Sequence, residues 1–278
     1  MGWCGSNRLT GGERVTETGN PVIGVFDSGL GGLTVVRELR RQIPSSSIIY
    51  LGDTARVPYG TKSESTIRRF AVEDTEFLLR RGVDLLVIAC HTVSSVASDY
   101  LKALHPELKI LSVLEPSVEA AVSVTKDRKI GIIGTTATVR SGKHRSEILK
   151  HGDFDVVEKP CPLFVPLVEE GLIDGTIPEL VAKMYLEGLK GRIDTLVLAC
   201  THYPLLKPII RRVMGENVAL VDPSEEVAKK VAQLLPTPGD KKGQLQVYLT
   251  DIPPGYLGLI ERFLGEPPDS IVKVSVFE

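Results

Sequence analysis

Residues 194–208 read DTLVLACTHYPLLKP, and residues 84–95 read DLLVIACHTVSS. Each is a short apolar run that ends on Ala-Cys and is followed at once by a Thr and a His. An unbroken apolar run of this length reads as a strand buried on both faces, the kind found in parallel sheets. In open parallel sheets functional residues collect beyond the carboxyl ends of the strands. Cys90 and Cys200 stand at two such ends, 200 − 90 = 110 residues apart.

Other landmarks repeat at nearly the same spacing. KIGIIGTTATV (129–139) resembles VIGVFDSGLGG (22–32) in its strand and in the small residues that follow, and Gly24 to Gly131 is 131 − 24 = 107. Pro58 in RVPYG and Pro166 in FVPLVEEG are 166 − 58 = 108 apart. Three landmarks at nearly one offset, 107 to 110 residues, suggest an internal duplication, each copy carrying one Cys at a matching strand end. Two copies make no solenoid. They make two units facing a shared cleft, a common place for a small-molecule site.

Strands and helices alternate around these landmarks. PVIGVFDSG (21–29) reads as a strand running into a Gly-rich turn, LTVVRELRRQI (33–43) as a helix and SIIYLGD (47–53) as a second strand. Residues 63–82 read as a helix, with Ser63 and Thr66 as a start signal and Gly82 as a stop. DLLVIAC (84–90) is a third strand. The expected fold class is α/β, with two pseudo-symmetric three-layer α/β/α domains, mainly parallel sheets, and the active site in the cleft between them. Residues 115–221 are expected to form the second domain. Residues 21–114 and 222–278 form the first, with LQVYLT (245–250) returning to it after PTPGDKKGQ. Residues 1–20 are polar and Gly-rich and read as a flexible tail. Met1-Gly2 with Ser6, and Cys4 nearby, match a short lipidation pattern that chance often produces.

Composition excludes several classes. The 278 residues carry 33 Lys and Arg against 35 Asp and Glu, a net charge of −2. Nucleic-acid binding, which calls for a basic patch, gains no support. The apolar runs are far shorter than the roughly 18 residues of a membrane span, and the start lacks a secretory signal. Four cysteines are too few for a disulfide framework, so a reduced, cytoplasmic protein is expected.

Two thiols on opposite walls of a cleft suit a reaction with two faces. Inverting a stereocentre needs one group to remove a proton and another to deliver one from the other side. A thiol can do either, since its free pKa of about 8.5 lies near neutrality and neighbours tune it. His202 is placed to help Cys200, and Asp27, at the end of the first strand, to act near Cys90. Ser28, the Gly29-Gly31-Gly32 turn, Thr135 and Thr138 supply donors for a carboxylate.

These pieces together resemble a known family. FDSGLGG (26–32), GDTARVPYG (52–60), IACHTVSS (88–95), IGTTATVRS (133–141), PLFVPLVEEG (162–171) and LACTHYPLL (198–206) are similar to the motifs of glutamate racemases, in the cofactor-independent aspartate/glutamate racemase superfamily. They span about residues 21–222, in the family's order. The resemblance implies interconversion of L- and D-glutamate, with D-glutamate feeding peptidoglycan synthesis, and no cofactor. It implies a working pair at Cys90 and Cys200, assisted by Asp27, Glu169 and His202. It implies substrate contacts at Ser28, Pro58, Tyr59, Gly60, Thr92, Thr135, Thr138 and Thr201, with His91 in the site as well. A homodimer without nucleic-acid or membrane partners is expected. Two positions depart from the family pattern: His91 stands where an Asn is usual, and His144 where a Tyr often follows the Thr-rich loop.

Rival readings exist for each feature. A lone Cys ending an apolar strand is usually core, and Cys4 and Cys161 are read as tail and core. A metal site of Cys90, His91, Cys200 and His202 lacks close ligand spacing, so no metal is expected. The Gly-rich turn is no dinucleotide fingerprint, because Thr34 stands where a third Gly is needed. Outside glutamate racemisation, the alternatives are a related two-thiol racemase or epimerase acting on aspartate or another amino acid, and a weakly active fold relative with a binding role.

Overall fold

Residues 22–27, apolar up to the closing Asp27, form β1 (Val22–Asp27), buried along its whole length and flanked on both sides by parallel partners. The computed structural model describes residues 21–235 and 242–276. The tail reading and the lipidation pattern fall on residues 1–20, outside the described residues.

After β1 the chain runs through α1 (Leu33–Gln42), β2 (Ser47–Gly52), α2 (Glu64–Leu79), β3 (Leu85–Ile88), α3 (His91–Leu104) and β4 (Lys109–Ser112). Next come α4 (Leu114–Val124), β5 (Lys129–Gly134), α5 (Thr136–Ser141), α6 (Lys143–Leu149) and β6 (Asp155–Pro160). α7 (Phe164–Glu169), α8 (Thr176–Leu186), β7 (Thr195–Ala199), α9 (Lys207–Met214) and β8 (Ala219–Val221) follow. The chain closes with α10 (Pro223–Leu234), β9 (Leu245–Leu249), α11 (Tyr256–Leu264) and β10 (Ser270–Lys273).

The strands form two sheets, ordered β10-β9-β2-β1-β3-β4 and β6-β5-β7-β8. Every pairing in both is parallel. The run β2-β1-β3-β4 has the same order as β6-β5-β7-β8, so the repeat seen as an offset in sequence is a repeat of topology. The expected strand at residues 245–250 is β9, which extends the first sheet by pairing with β2. The two sheets share a packing detail. A Cβ on Gly24 of β1 would meet Val83 at 3.0 Å, and one on Gly131 of β5 would meet Ile193 at 2.5 Å. Val83 and Ile193 are themselves 193 − 83 = 110 residues apart, each preceding the strand that leads into a Cys.

Both faces of each sheet are covered. One face of the first sheet packs Phe26, Leu51 and Ile88 against Ile67 and Ala71 of α2 and Val93 and Ala97 of α3. Its other face packs Ile23, Val25 and Val87 against α1, α10 and α11, and this cluster continues into α7, α8 and α9 beneath β5 and β7. α4 and α6 cover the remaining face of the second sheet through Leu114, Val118 and Ile148. Burying a side chain of this kind is worth about 1.5–3 kcal/mol, so a core that runs under both sheets couples them strongly. Local signals agree with the elements. Ser63 accepts from the Thr66 N–H at 3.3 Å to cap α2, and Gly82 takes φ +74° just after that helix ends. Among the described residues no helix is long and apolar enough to cross a membrane.

Candidate active site

Cys90 caps α3 two residues beyond β3, and Cys200 follows β7 directly. Both line one cavity of about 300 Å³. Of the residues expected in the site, Ser28, Pro58, Tyr59, Gly60, His91, Thr92, Glu169, Thr135, Thr201 and His202 line it with them. The cavity thus draws its walls from the loops after strands of both sheets, as the repeat requires.

Two expected residues do not line it. Asp27 is buried below the floor, where it accepts from the Gly29 N–H at 3.0 Å and from the Thr201 hydroxyl at 3.4 Å. Thr138 lies behind Thr92 and Thr135, its hydroxyl 3.3 Å and 2.9 Å from theirs. Thr92 and Thr135 in turn are 3.1 Å apart, so three hydroxyls from the two halves of the chain meet in one cluster. Tyr59 lines the cavity, yet its hydroxyl is committed elsewhere, to the buried carboxylates of Asp53 and Asp74. Arg56 joins the same carboxylates and holds the loop that carries Pro58 and Gly60.

The sequence reading did not single out Val57, Thr61, Thr136, Pro162 or Val165, which also line the cavity. All stand inside or beside the quoted motifs. Val57, Pro162 and Val165 carry no chemical signature that would mark them, and the Thr61 hydroxyl donates to the Pro58 carbonyl at 3.3 Å. Val57, Pro162 and Val165 make part of the cavity wall apolar.

Electrostatics at the thiols follows from burial. Removal from water pushes the Cys90 thiol up to about 11, and the nearby Asp27 carboxylate adds to this. The Ser28 hydroxyl, 3.4 Å from Cys90 Sγ, and backbone N–H groups of Val93 and Ser28 act in the opposite direction. Burial raises Cys200 further; Cys90, Asp27 and Glu169 also raise it, while the His202 N–H favours its thiolate. Asp27 is itself raised, by burial above all, against the lowering effects of His202 and of the Gly29 N–H. His202 places Nε2 3.1 Å from Glu169 Oε1, and its Nδ1 is buried without a partner. Gly31 makes this possible: a Cβ there would lie 2.3 Å from the Thr201 hydroxyl and 2.5 Å from His202 Nδ1.

Cys161 is fully buried and not in the cavity, as its core reading implies. Among the described residues no cluster of three or more His, Cys, Asp or Glu is arranged to hold a metal ion.

Paired thiols following equivalent strands of two parallel sheets, lining one cavity, define a two-sided site. The family model of the Asp/Glu/hydantoin racemases matches residues 23–231, and the chain belongs to that family. Within it the chain is similar to the glutamate racemase of Persephonella marina, 48% identical over 87% of this chain and 93% of that protein. It is similar in structure to the glutamate racemase of Francisella tularensis solved in complex with D-glutamate, with TM-score 0.86 and 38% identity over 93% of this chain and 98% of that one. It is similar also to the Thermus thermophilus glutamate racemase solved with β-chloro-D-alanine, with TM-score 0.81 and 45% identity over 92% and 97% of the two chains.

Proposed function

We propose that the protein is a glutamate racemase that moves a proton across the α-carbon of glutamate between two thiols. The observation that carries this reading is the shared cavity of Cys90 and Cys200, at matching strand ends of two sheets with the same strand order. The substrate follows from the similarity to glutamate racemases over most of the chain.

In this reading the Cys200 thiolate takes the α-proton of L-glutamate, and the Cys90 thiol gives its proton to the opposite face. D-glutamate leaves with Cys200 protonated and Cys90 a thiolate. The reverse reaction runs through the same two states, with Cys90 as the base. Burial by itself favours neutral thiols, because it penalises their charge. The substrate's ammonium group brings a positive charge close to them, and an opposite charge nearby lowers a thiol pKa. The α-proton beside a carboxylate is only weakly acidic, so donors around that carboxylate must stabilise the developing carbanion. Ser28, Thr92, Thr135, Thr201 and backbone N–H groups of the loops holding Pro58, Tyr59 and Gly60 are suited to that task. Thr138 holds the threonine cluster in place from behind. Asp27 acts through Thr201 and the two thiols, while Glu169 orients His202 beside Cys200.

The reaction so written needs neither metal nor organic cofactor, since both proton-transfer groups come from the chain. It would be carried out by a cytoplasmic enzyme, and its D-glutamate would supply peptidoglycan synthesis. We take the cleft to separate one unit of residues 21–114 with 222–278 from another of residues 115–221. A homodimer is part of the same proposal. The exposed stripe of Ile177, Leu180 and Met184 on α8, one helical face left in water, supports an assembled state.

Incubation with L-glutamate in D₂O tests the reading. Deuterium should enter the α-carbon as D-glutamate forms, and Cys90→Ser or Cys200→Ser should each abolish racemisation, because a hydroxyl is too weak a base at neutral pH. Full turnover in either variant would overturn it.

A further inference from the structure

Beside Cys90 the cavity wall holds His91, and His144 packs against it from outside the lining; proton transfer between the thiols uses neither. His91 opens α3, and His144 lies on α6. Their rings stack with centroids 5.3 Å apart and planes at 28°, and His91 Nδ1 lies 3.2 Å from His144 Nε2. Both rings are buried. Burial pushes His91 well below the ordinary histidine range and His144 down to about 4, so both are neutral near pH 7.

A neutral imidazole has one N–H and one bare nitrogen. At hydrogen-bond distance, one ring of the pair must donate and the other accept. If His91 donates from Nδ1, the proton of His144 is forced onto its Nδ1. If His144 donates from Nε2, its Nδ1 is bare. His144 Nδ1 is buried with no partner. An orphaned buried N–H is rarer and costlier than an orphaned acceptor. The second arrangement therefore wins. It occupies the bare nitrogen of His91 and puts that ring's proton on Nε2. His91 lines the cavity.

We propose that His144 is a positioning residue that fixes His91 as its Nε2–H tautomer, so that His91 offers an N–H donor to a carboxylate of the bound amino diacid. This rests on the reading of the cavity as a glutamate site. In the racemase motif that residues 88–95 resemble, Asn stands at position 91, and its amide would supply a donor without help. Here an imidazole does the same work only because a second imidazole sets its tautomer, so the departures at 91 and 144 are one feature. The same arrangement removes His91 as a rival base to Cys90, since its lone pair is taken by His144.

Two measurements on the whole protein test this. In ¹⁵N NMR of the unliganded protein, with signals assigned from His91→Asn and His144→Gln, Nε2 of both rings should be of the protonated type and Nδ1 of both of the bare type. A protonated His91 Nδ1 would overturn the proposal whatever the substrate proves to be. The second is kinetic. Gln at 144 can still donate near the position of Nε2, whereas Phe keeps a ring and donates nothing. His144→Phe should lower kcat/KM for glutamate about five- to tenfold, the worth of one hydrogen bond. His144→Gln should stay within about twofold of the parent. A merely space-filling residue would give the reverse order, with Phe tolerated and Gln not, and that result would also overturn the proposal. Should His144→Phe fail to fold, the tautomer measurement decides alone. Absence of glutamate turnover in the parent protein would refute the function and leave the tautomer result standing.

Discussion

His202 reaches Glu169 across 3.1 Å, tying the turn after β7 to the last residue of α7 at the rim of the cavity. The histidine is buried, while the Glu169 side chain is 43% exposed. Solvent therefore screens the charge on one side of the pair, and its worth falls toward the low end for a charge-assisted bond. Glu169→Gln keeps an acceptor and loses the charge. It should lower kcat/KM by about tenfold or less, a loss consistent with orientation rather than proton transfer. Steady-state kinetics from each enantiomer check this. The two enantiomers have equal free energy, so kcat/KM must fall equally from both sides. A loss as deep as that of Cys200→Ser would make Glu169 part of the proton-transfer machinery instead.

Gly31 should be sensitive for a different reason. Its position leaves no room for a methyl group, which would lie 2.3 Å from the Thr201 hydroxyl and 2.5 Å from His202 Nδ1. Thr201 and His202 are both buried and cannot swing into solvent. Gly31→Ala should therefore displace the Cys200 loop and cost about 100-fold in kcat/KM, the scale of an ångström-sized misplacement. The check is kinetics beside a thermal melt. A variant that melts like the parent and turns over normally would show that the loops adjust freely.

The thiols should label in a fixed order as pH rises. Alkylation needs the thiolate. Both thiols are raised by burial, so both are mainly protonated at neutral pH and labelling accelerates as pH climbs. Cys90 is held at about 11, with Ser28 and Val93 favouring its charged form, and Cys200 lies higher. Iodoacetamide should reach Cys90 before Cys200, and glutamate should protect both. Cys161, buried outside the cavity and pushed up to about 12, should stay unlabelled in the folded protein. Peptide mass spectrometry between pH 7 and 10 reads the order. Ser28→Ala should slow labelling of Cys90. Faster labelling of Cys200 in the parent would contradict the electrostatic account.

Arg56 should matter for stability before it matters for catalysis. It faces Asp53, Glu73 and Asp74, and the Asp53 and Asp74 side chains are fully buried. Burial and the neighbouring Asp53 already push Asp74 well above the usual carboxylate range. Arg56→Met would leave two buried carboxylates without their cation, at a cost of about 3–5 kcal/mol. Denaturant unfolding should show that loss. A change below about 1 kcal/mol would mean that one or both carboxylates are already protonated and need no cation.

β1, β3, β5 and β7 were readable because a strand buried on both faces must be apolar without alternation. Their equivalence was readable because duplication preserved the spacing from Gly24 to Gly131 and from Cys90 to Cys200. That both thiols should stand at strand ends follows from the same pattern, and the motifs around them carried the family resemblance. Partners across the cleft were not readable. Thr92 meets Thr135 and His91 meets His144 because α3 of one half faces α5 and α6 of the other. No spacing within either helix contains that information. The same holds for Asp27 and Thr138, which lie one layer behind the cavity, and for Tyr59, whose hydroxyl turns to Asp53 and Asp74. Local pattern determined which strands form and where each thiol falls on them, since the period of a strand is a local property. Which hydroxyl, imidazole or carboxylate stands opposite was decided only when the two sheets packed over a common core, because contact between distant segments is set by how whole layers fit together.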